Sequence, residues 1–172
     1  MYNIKNLADT VKNSEAKLYI FCGLPYAGKT YLLKQWQAQH PDLISIVSLD
    51  SIFEEFGYSW DEDRRPDESG WKKILAQAKA EIVAALSINK SVFYDSTNHT
   101  KASRDALRKI ADEVAKDTTI VYIKSDPSTV WARYEDNAKN QTRPQVNRAL
   151  VQEVIDTFEE PTADENILVI QN

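Results

Sequence analysis

The chain has 172 residues, 42% hydrophobic and 27% charged, which excludes a disordered, collagen-like or disulfide-scaffold protein and suits one domain with its own core. Its 21 Lys and Arg stand against 26 Asp and Glu, a net charge of −5, which excludes a broad electrostatic grip on nucleic acid and leaves only a local basic groove open. The single cysteine, Cys22, excludes an internal disulfide and suits a reducing compartment, and no apolar run approaches the roughly 18 residues that a membrane span requires.

In chain order, residues 1–16 lack an apolar signal core and carry Asp9 and Glu15, so a cytoplasmic protein is expected. Residues 17–22 form a short apolar run that reads as a buried strand. A helical pattern covers 29–39, and a second apolar run covers 43–49. The longest helix pattern, 71–88, places Ile74, Leu75, Ala78, Ile82, Val83 and Leu86 at helical spacing. A third strand is expected at 91–94, a helix at 102–115 and a fourth strand at 118–124. Asp126-Pro127 opens a helix, because Asp caps well and Pro suits the first helical position. A helix over 146–158 is closed by Pro161, and a fifth strand is expected at 167–170. Strands alternating with helices imply an α/β sandwich of about five mostly parallel strands. Ligands in such sheets sit at the carboxyl edge.

Gly23-Leu24-Pro25-Tyr26-Ala27-Gly28-Lys29-Thr30 fits G-x-x-x-x-G-K-[ST] at every fixed position. A strand pattern precedes it and a helix pattern follows. Glycines there let backbone N–H groups turn inward around phosphate oxygens, and the helix N-terminus adds its positive end. Residues 23–30, with Tyr31 behind them, are therefore expected to bind ATP. Lys29 would reach the β- and γ-phosphates, and the Thr30 hydroxyl would ligand Mg²⁺. The expected fold is a P-loop NTPase three-layer sandwich, one domain over 1–172. A guanine-reading Asn-Lys-x-Asp is missing, since Asn137-Ala-Lys-Asn140 has neither the order nor the acid. Asp67-Glu-Ser-Gly70 matches a switch-loop D-x-x-G, but a charged stretch precedes it instead of a strand, so the match reads as chance.

Asp50 follows the run 44–49 and Asp95 follows 91–94. Both acids are expected on the loop's edge of the sheet. Beside a metal-bound triphosphate, one carboxylate suits the proton of an attacking hydroxyl and the other suits Mg²⁺. Asp50 is alternatively a helix N-cap for residues 51–56.

Asp95-Ser-Thr-Asn98 with Arg104, after the phosphate loop and an Asp behind the second strand, resembles the small P-loop kinases of the polynucleotide 5′-kinase and zeta-toxin group. The C-terminal string Phe158-Glu159-x-Pro161-x-x-x-Glu165, with Arg133, Asn137, Arg143 and Val146 before it, is similar to the lid and following helix of that group. The resemblance runs from about Leu18 to Glu165. It implies a kinase that uses ATP and Mg²⁺, with Asp50 as base, Asp95 at the metal, and Thr97, Asn98 and Arg104 joining Asp50 at the substrate. It also implies a helical lid over about 127–148 whose Arg133 and Arg143 close on the phosphates during catalysis. One departure is Phe53, where polynucleotide kinases carry an Arg that grips the acceptor's phosphate. The acceptor hydroxyl thus stays open between a nucleic-acid 5′-end and a small metabolite such as a nucleoside or sugar. The alternative is an NTP-binding regulator or zeta-like toxin protein without polynucleotide kinase activity. No obligate protein partner and no membrane association are expected. His40, His99, Cys22, Arg64, Arg65, Arg108 and Arg148 are read as structural or solvated residues.

Overall fold

The computed structural model describes residues 4–59, 64–142 and 144–171. The elements in order are α1 (Ile4–Lys12), β1 (Leu18–Cys22), α2 (Lys29–Gln39), β2 (Ile44–Ser48), α3 (Leu49–Glu55), α4 (Glu68–Ser87), β3 (Ser91–Asp95), α5 (Lys101–Asp112), β4 (Thr118–Lys124), α6 (Pro127–Asn140), α7 (Arg148–Asp156), a 3₁₀ turn (Ala163–Glu165) and β5 (Ile167–Gln171). The five strands form one sheet in the order β2-β3-β1-β4-β5, and every pairing is parallel.

β1 is buried at all five positions because helices cover both faces of the sheet. Strand alternation divides its side chains. Tyr19 and Phe21 join Leu7, Val11, Leu33, Trp36, Val130, Tyr134 and Val151 from α1, α2, α6 and α7. Leu18, Ile20 and Cys22 join Ile52, Ile74, Ile82 and Leu107 from α3, α4 and α5. The result is the three-layer sandwich expected for a P-loop NTPase. β2 and β3 lie to one side of β1, and β4 and β5 to the other. The loop after β1 therefore opens at the switch point of the sheet, where ligands gather.

Three local readings change. Helix α1, which brings Leu7 and Val11 into the core, was not among the expected elements, although Ile4, Leu7, Ala8 and Val11 recur in the sequence at helical spacing. β2 ends at Ser48, and α3 begins at Leu49. Ser48, in extended conformation, caps α3 by accepting a hydrogen bond from the Ser51 N–H at 3.4 Å. Asp50 is therefore neither the cap nor the last strand residue; it sits in the first turn of α3. Helix α4 starts at Glu68, earlier than its apolar stripe, because the Asp67 carboxylate accepts from the Gly70 N–H at 2.7 Å. That cap accounts for the D-x-x-G string. Gly70 itself is required by crowding, since a Cβ there would lie 2.6 Å from the Tyr58 hydroxyl and 2.7 Å from Pro66.

Candidate active site

The loop between β1 and α2 is shaped by two glycines. Gly23 has φ +152°, and a Cβ on it would meet the Ile123 carbonyl oxygen of β4 at 2.6 Å. Gly28 has φ +96° and begins α2. Tyr26 is left-handed too, at φ +60°. Such alternation turns successive N–H groups to one side and makes an anion-binding concavity. The N-terminus of α2 points its unpaired N–H groups and dipole at the same place. Lys29 is 7% exposed. Its ammonium donates to the Gly23 and Leu24 carbonyls at 2.7 and 2.8 Å. Leu24 and Ala27 are buried, so these two offer the site backbone alone, whereas Pro25, Tyr26, Gly28, Thr30 and Tyr31 line a cavity of about 850 Å³.

Thr30 and Asp95 meet directly: the hydroxyl donates to Asp95 Oδ2 at 2.8 Å. This pair joins the loop to the end of β3. Ser48 pairs in register with Asp95, so Asp50 lies just past that level on the neighbouring strand's continuation. Asp50 and Asp95 both line the cavity. Burial, with the charges of Asp50 and then Asp95, raises the pKa of the Tyr94 hydroxyl. Among the described residues no cluster of three or more His, Cys, Asp and Glu offers a metal cage.

The lid side is tied to the loop. Arg133 on α6 donates from Nη1 to the Tyr26 and Ala27 carbonyls, both at 3.1 Å. The Tyr26 ring packs edge-on against Tyr134 at 5.4 Å, and its hydroxyl accepts from the Val146 N–H at 3.5 Å. Asn137, 4% exposed, holds the turn after α6 by donating to Gln145 at 2.5 Å and accepting from the Thr142 hydroxyl at 3.0 Å. Arg143 lies outside the described residues. Arg148 pairs with Glu135 at 2.5 Å and covers the Trp131 ring at 4.4 Å.

A family model described as an AAA domain matches residues 18–161. The chain belongs to that family. No curated protein matches the sequence. Solved structures of similar fold include Kti12 from Chaetomium thermophilum in complex with ADP-AlF3, at 18% identity over 90% of this chain and 88% of that one, TM-score 0.63. A gluconokinase from Sinorhizobium meliloti 1021 aligns at 15% identity over 90% and 82% of the two chains, TM-score 0.57. A chain of the Pnkp1/Rnl/Hen1 RNA repair complex aligns at 18% identity over 85% of this chain and 46% of that one, TM-score 0.69. The family match and these neighbours bear out the resemblance to small P-loop kinases. Among the described residues of this AAA-domain chain, no helix is long and apolar enough to cross a membrane.

The structure ties the other residues of the resemblance into the fold behind the loop. Arg104 was expected at the substrate, but its side chain is 1% exposed. Its Nε and Nη2 donate to the Glu165 carboxylate at 2.7 and 2.9 Å. Its Nη1 donates to the Asn98 and Glu159 carbonyls at 3.1 and 3.0 Å. Every arm of the guanidinium is therefore engaged inside the fold. Burial works against the Glu165 charge, yet hydrogen bonds from Arg104 and the Thr162 N–H hold its carboxyl down at about 2. Asn98 is redirected as well. It lines the cavity, but its amide donates to the Phe21 carbonyl at 2.6 Å and its backbone is left-handed at φ +44°. Thr97 lines the cavity, and its carbonyl accepts from the Gly23 N–H at 3.1 Å. The Glu159 N–H donates to the His99 carbonyl at 2.8 Å, and the Glu159 carboxylate accepts from the Lys101 N–H. The Asp-x-Thr-Asn and Phe-Glu-x-Pro strings are thus two halves of one clamp behind the phosphate loop. Sequence reasoning also passed over Tyr94 as a site residue; an aromatic residue inside an apolar run carries no motif that separates it from core.

Proposed function

We propose that this protein is an ATP-dependent kinase that transfers the γ-phosphate to an acceptor hydroxyl. The observation that carries the reading is the Thr30–Asp95 hydrogen bond on a phosphate loop, with Asp50 in the same cavity. The loop N–H groups and the start of α2 bind the phosphates. Lys29 exchanges the Gly23 and Leu24 carbonyls for the transferring phosphate. Thr30 and Asp95 would hold Mg²⁺, which when bound would neutralise charge on the phosphates. Asp50, exposed to the cavity, takes the proton of the acceptor hydroxyl. Arg133 is placed beside the loop to move onto the developing charge, and Arg143 is proposed to join it. The buried thiol of Cys22 suits a reducing, cytoplasmic setting.

The second reading is a nucleotide-binding regulator that transfers no phosphate; it needs only nucleotide binding, and Kti12, of similar fold, is in complex with ADP-AlF3. The deciding experiment measures ATP turnover with and without acceptors, drawn from nucleosides, sugars and 5′-hydroxyl oligonucleotides. A kinase gives acceptor-dependent turnover with labelled phosphate on the acceptor. Turnover indifferent to every acceptor sinks the kinase reading.

A further inference from the structure

Among the described residues, the tyrosines that line the cavity are Tyr26, Tyr31 and Tyr94. Two of these hydroxyls are engaged within the protein. Tyr26 accepts from the Val146 N–H at 3.5 Å, and Tyr31 accepts from the Gln35 amide at 2.7 Å. Tyr94 is 3% exposed, yet no described residue hydrogen-bonds its hydroxyl. A buried tyrosine ordinarily gives its O–H a partner, because an unmet buried donor costs stability. An exception on a cavity wall calls for a partner that the cavity receives.

Strand alternation sends Tyr94 to the opposite face of the sheet from Phe93. Phe93 joins the core under α2, whereas Tyr94 joins Ile52, Ile82 and Leu107 from α3, α4 and α5. Ile82 and Leu107 line the cavity with it. In register it lies between Val47 of β2 and Ile20 of β1, one residue before Asp95. Burial and then the charges of Asp50 and Asp95 act on its hydroxyl. The phenol therefore sits by the reacting groups. A tyrosine is protonated at neutral pH and offers one donor. The reacting hydroxyl of an acceptor gives its proton to the base and a lone pair to phosphorus. A donor on that same oxygen would weaken the attack, so the matching oxygen is a neighbouring one. A polyol has a second hydroxyl there, whereas a nucleic-acid 5′-end offers only its ring ether, a poorer acceptor of hydrogen bonds.

Resting on the kinase reading, we infer that Tyr94 binds the acceptor, its hydroxyl donating to an oxygen beside the one that is phosphorylated, and that the acceptor is a small polyol. In the reaction the polyol oxygen at Asp50 bonds to the γ-phosphorus, the bond from that phosphorus to the ADP oxygen breaks, and the hydroxyl proton passes to Asp50. Tyr94 keeps its proton throughout.

The test uses the full chain with ATP·Mg²⁺ and four acceptors: glycerol, glucose, cyclohexylmethanol and a 5′-hydroxyl oligonucleotide. Cyclohexylmethanol keeps the ring and primary alcohol of glucose without its other oxygens. Wild-type kcat/KM should be about a hundredfold or more higher for one of the polyols than for cyclohexylmethanol. Tyr94→Phe removes the hydroxyl and keeps the ring. It should lower kcat/KM for that polyol by about tenfold or more and narrow the preference accordingly. ATP affinity should be unchanged, and Tm unchanged or raised, since an unmet buried donor has been removed. Equal polyol turnover by Tyr94→Phe and the wild type overturns the assignment. A Tm lowered by several degrees also overturns it, because the hydroxyl then has a partner inside the fold. The wild-type comparison of acceptors needs no variant. Transfer onto cyclohexylmethanol or the oligonucleotide in preference to both polyols overturns the polyol and leaves the kinase reading standing. Transfer onto none of the four overturns both.

Discussion

Replacing Glu165 with Gln decides whether Arg104 is a structural ion or a substrate ligand. Neither side chain is more than 1% exposed, and the guanidinium meets the carboxylate at 2.7 and 2.9 Å. The substitution keeps the volume of residue 165 but leaves the guanidinium buried without its counter-charge. Arg108 does not substitute for Arg104, because it approaches Glu165 only to 3.7 Å and is 21% exposed. Breaking a buried pair from one side costs about 3–5 kcal/mol. Since each kcal/mol moves Tm by about 2–4 °C at this chain length, Tm should fall by roughly 10 °C. Arg104→Met with Glu165→Met should recover much of that loss, because an apolar pair of similar volume carries no desolvation cost. Differential scanning calorimetry of the wild type, both singles and the double measures the coupling. The pH dependence has a definite sign. The Glu165 carboxyl is held at about 2 against an ordinary 4.5, so its contribution is complete above the ordinary value and disappears as pH falls towards the lower one. Glu165→Gln should flatten that part of the acid limb. A Glu165→Gln protein that melts with the wild type would refute the clamp. An Arg104→Lys protein of normal Tm whose acceptor KM rises tenfold or more would return Arg104 to the substrate.

Lys29→Ala should lower phosphate transfer by about a hundredfold or more, since about 3 kcal/mol of charge-assisted contact to the transferring group is lost; a folded variant with unchanged transfer refutes the phosphate-loop mechanism. Asp50→Asn should bind ATP·Mg²⁺ within about threefold of wild type while transfer falls by roughly 10²-fold. Asp95→Asn should instead raise the Mg²⁺ concentration needed for half-maximal activity; a metal shift in the Asp50 variant alone reverses the two assignments. Arg133→Ala should change stability by no more than about 0.5 kcal/mol, as its side chain is only half-buried. Its turnover should fall by one or more orders of magnitude, and a large drop in Tm with intact turnover marks a structural role.

The phosphate loop was legible in the sequence because its chemistry is local. Gly23 and Gly28 supply backbone angles that other residues resist, and strand, loop and helix follow one another without a long-range partner. The strands were legible for a related reason: a parallel sheet covered on both faces leaves continuous apolar runs such as Leu18–Cys22. Asp95 was also placed correctly, since it terminates such a run. Asp50 reaches the same cavity, but from the first turn of α3, because Ser48 takes the cap and turns the chain into the helix two residues early. Only the tertiary structure decided what Arg104, Asn98 and Glu159 do. The partners of Arg104 include Glu165, 61 residues away, and no periodicity or spacing within either segment encodes that meeting. A buried guanidinium requires a buried carboxylate, and folding the C-terminal segment against the start of α5 provides it.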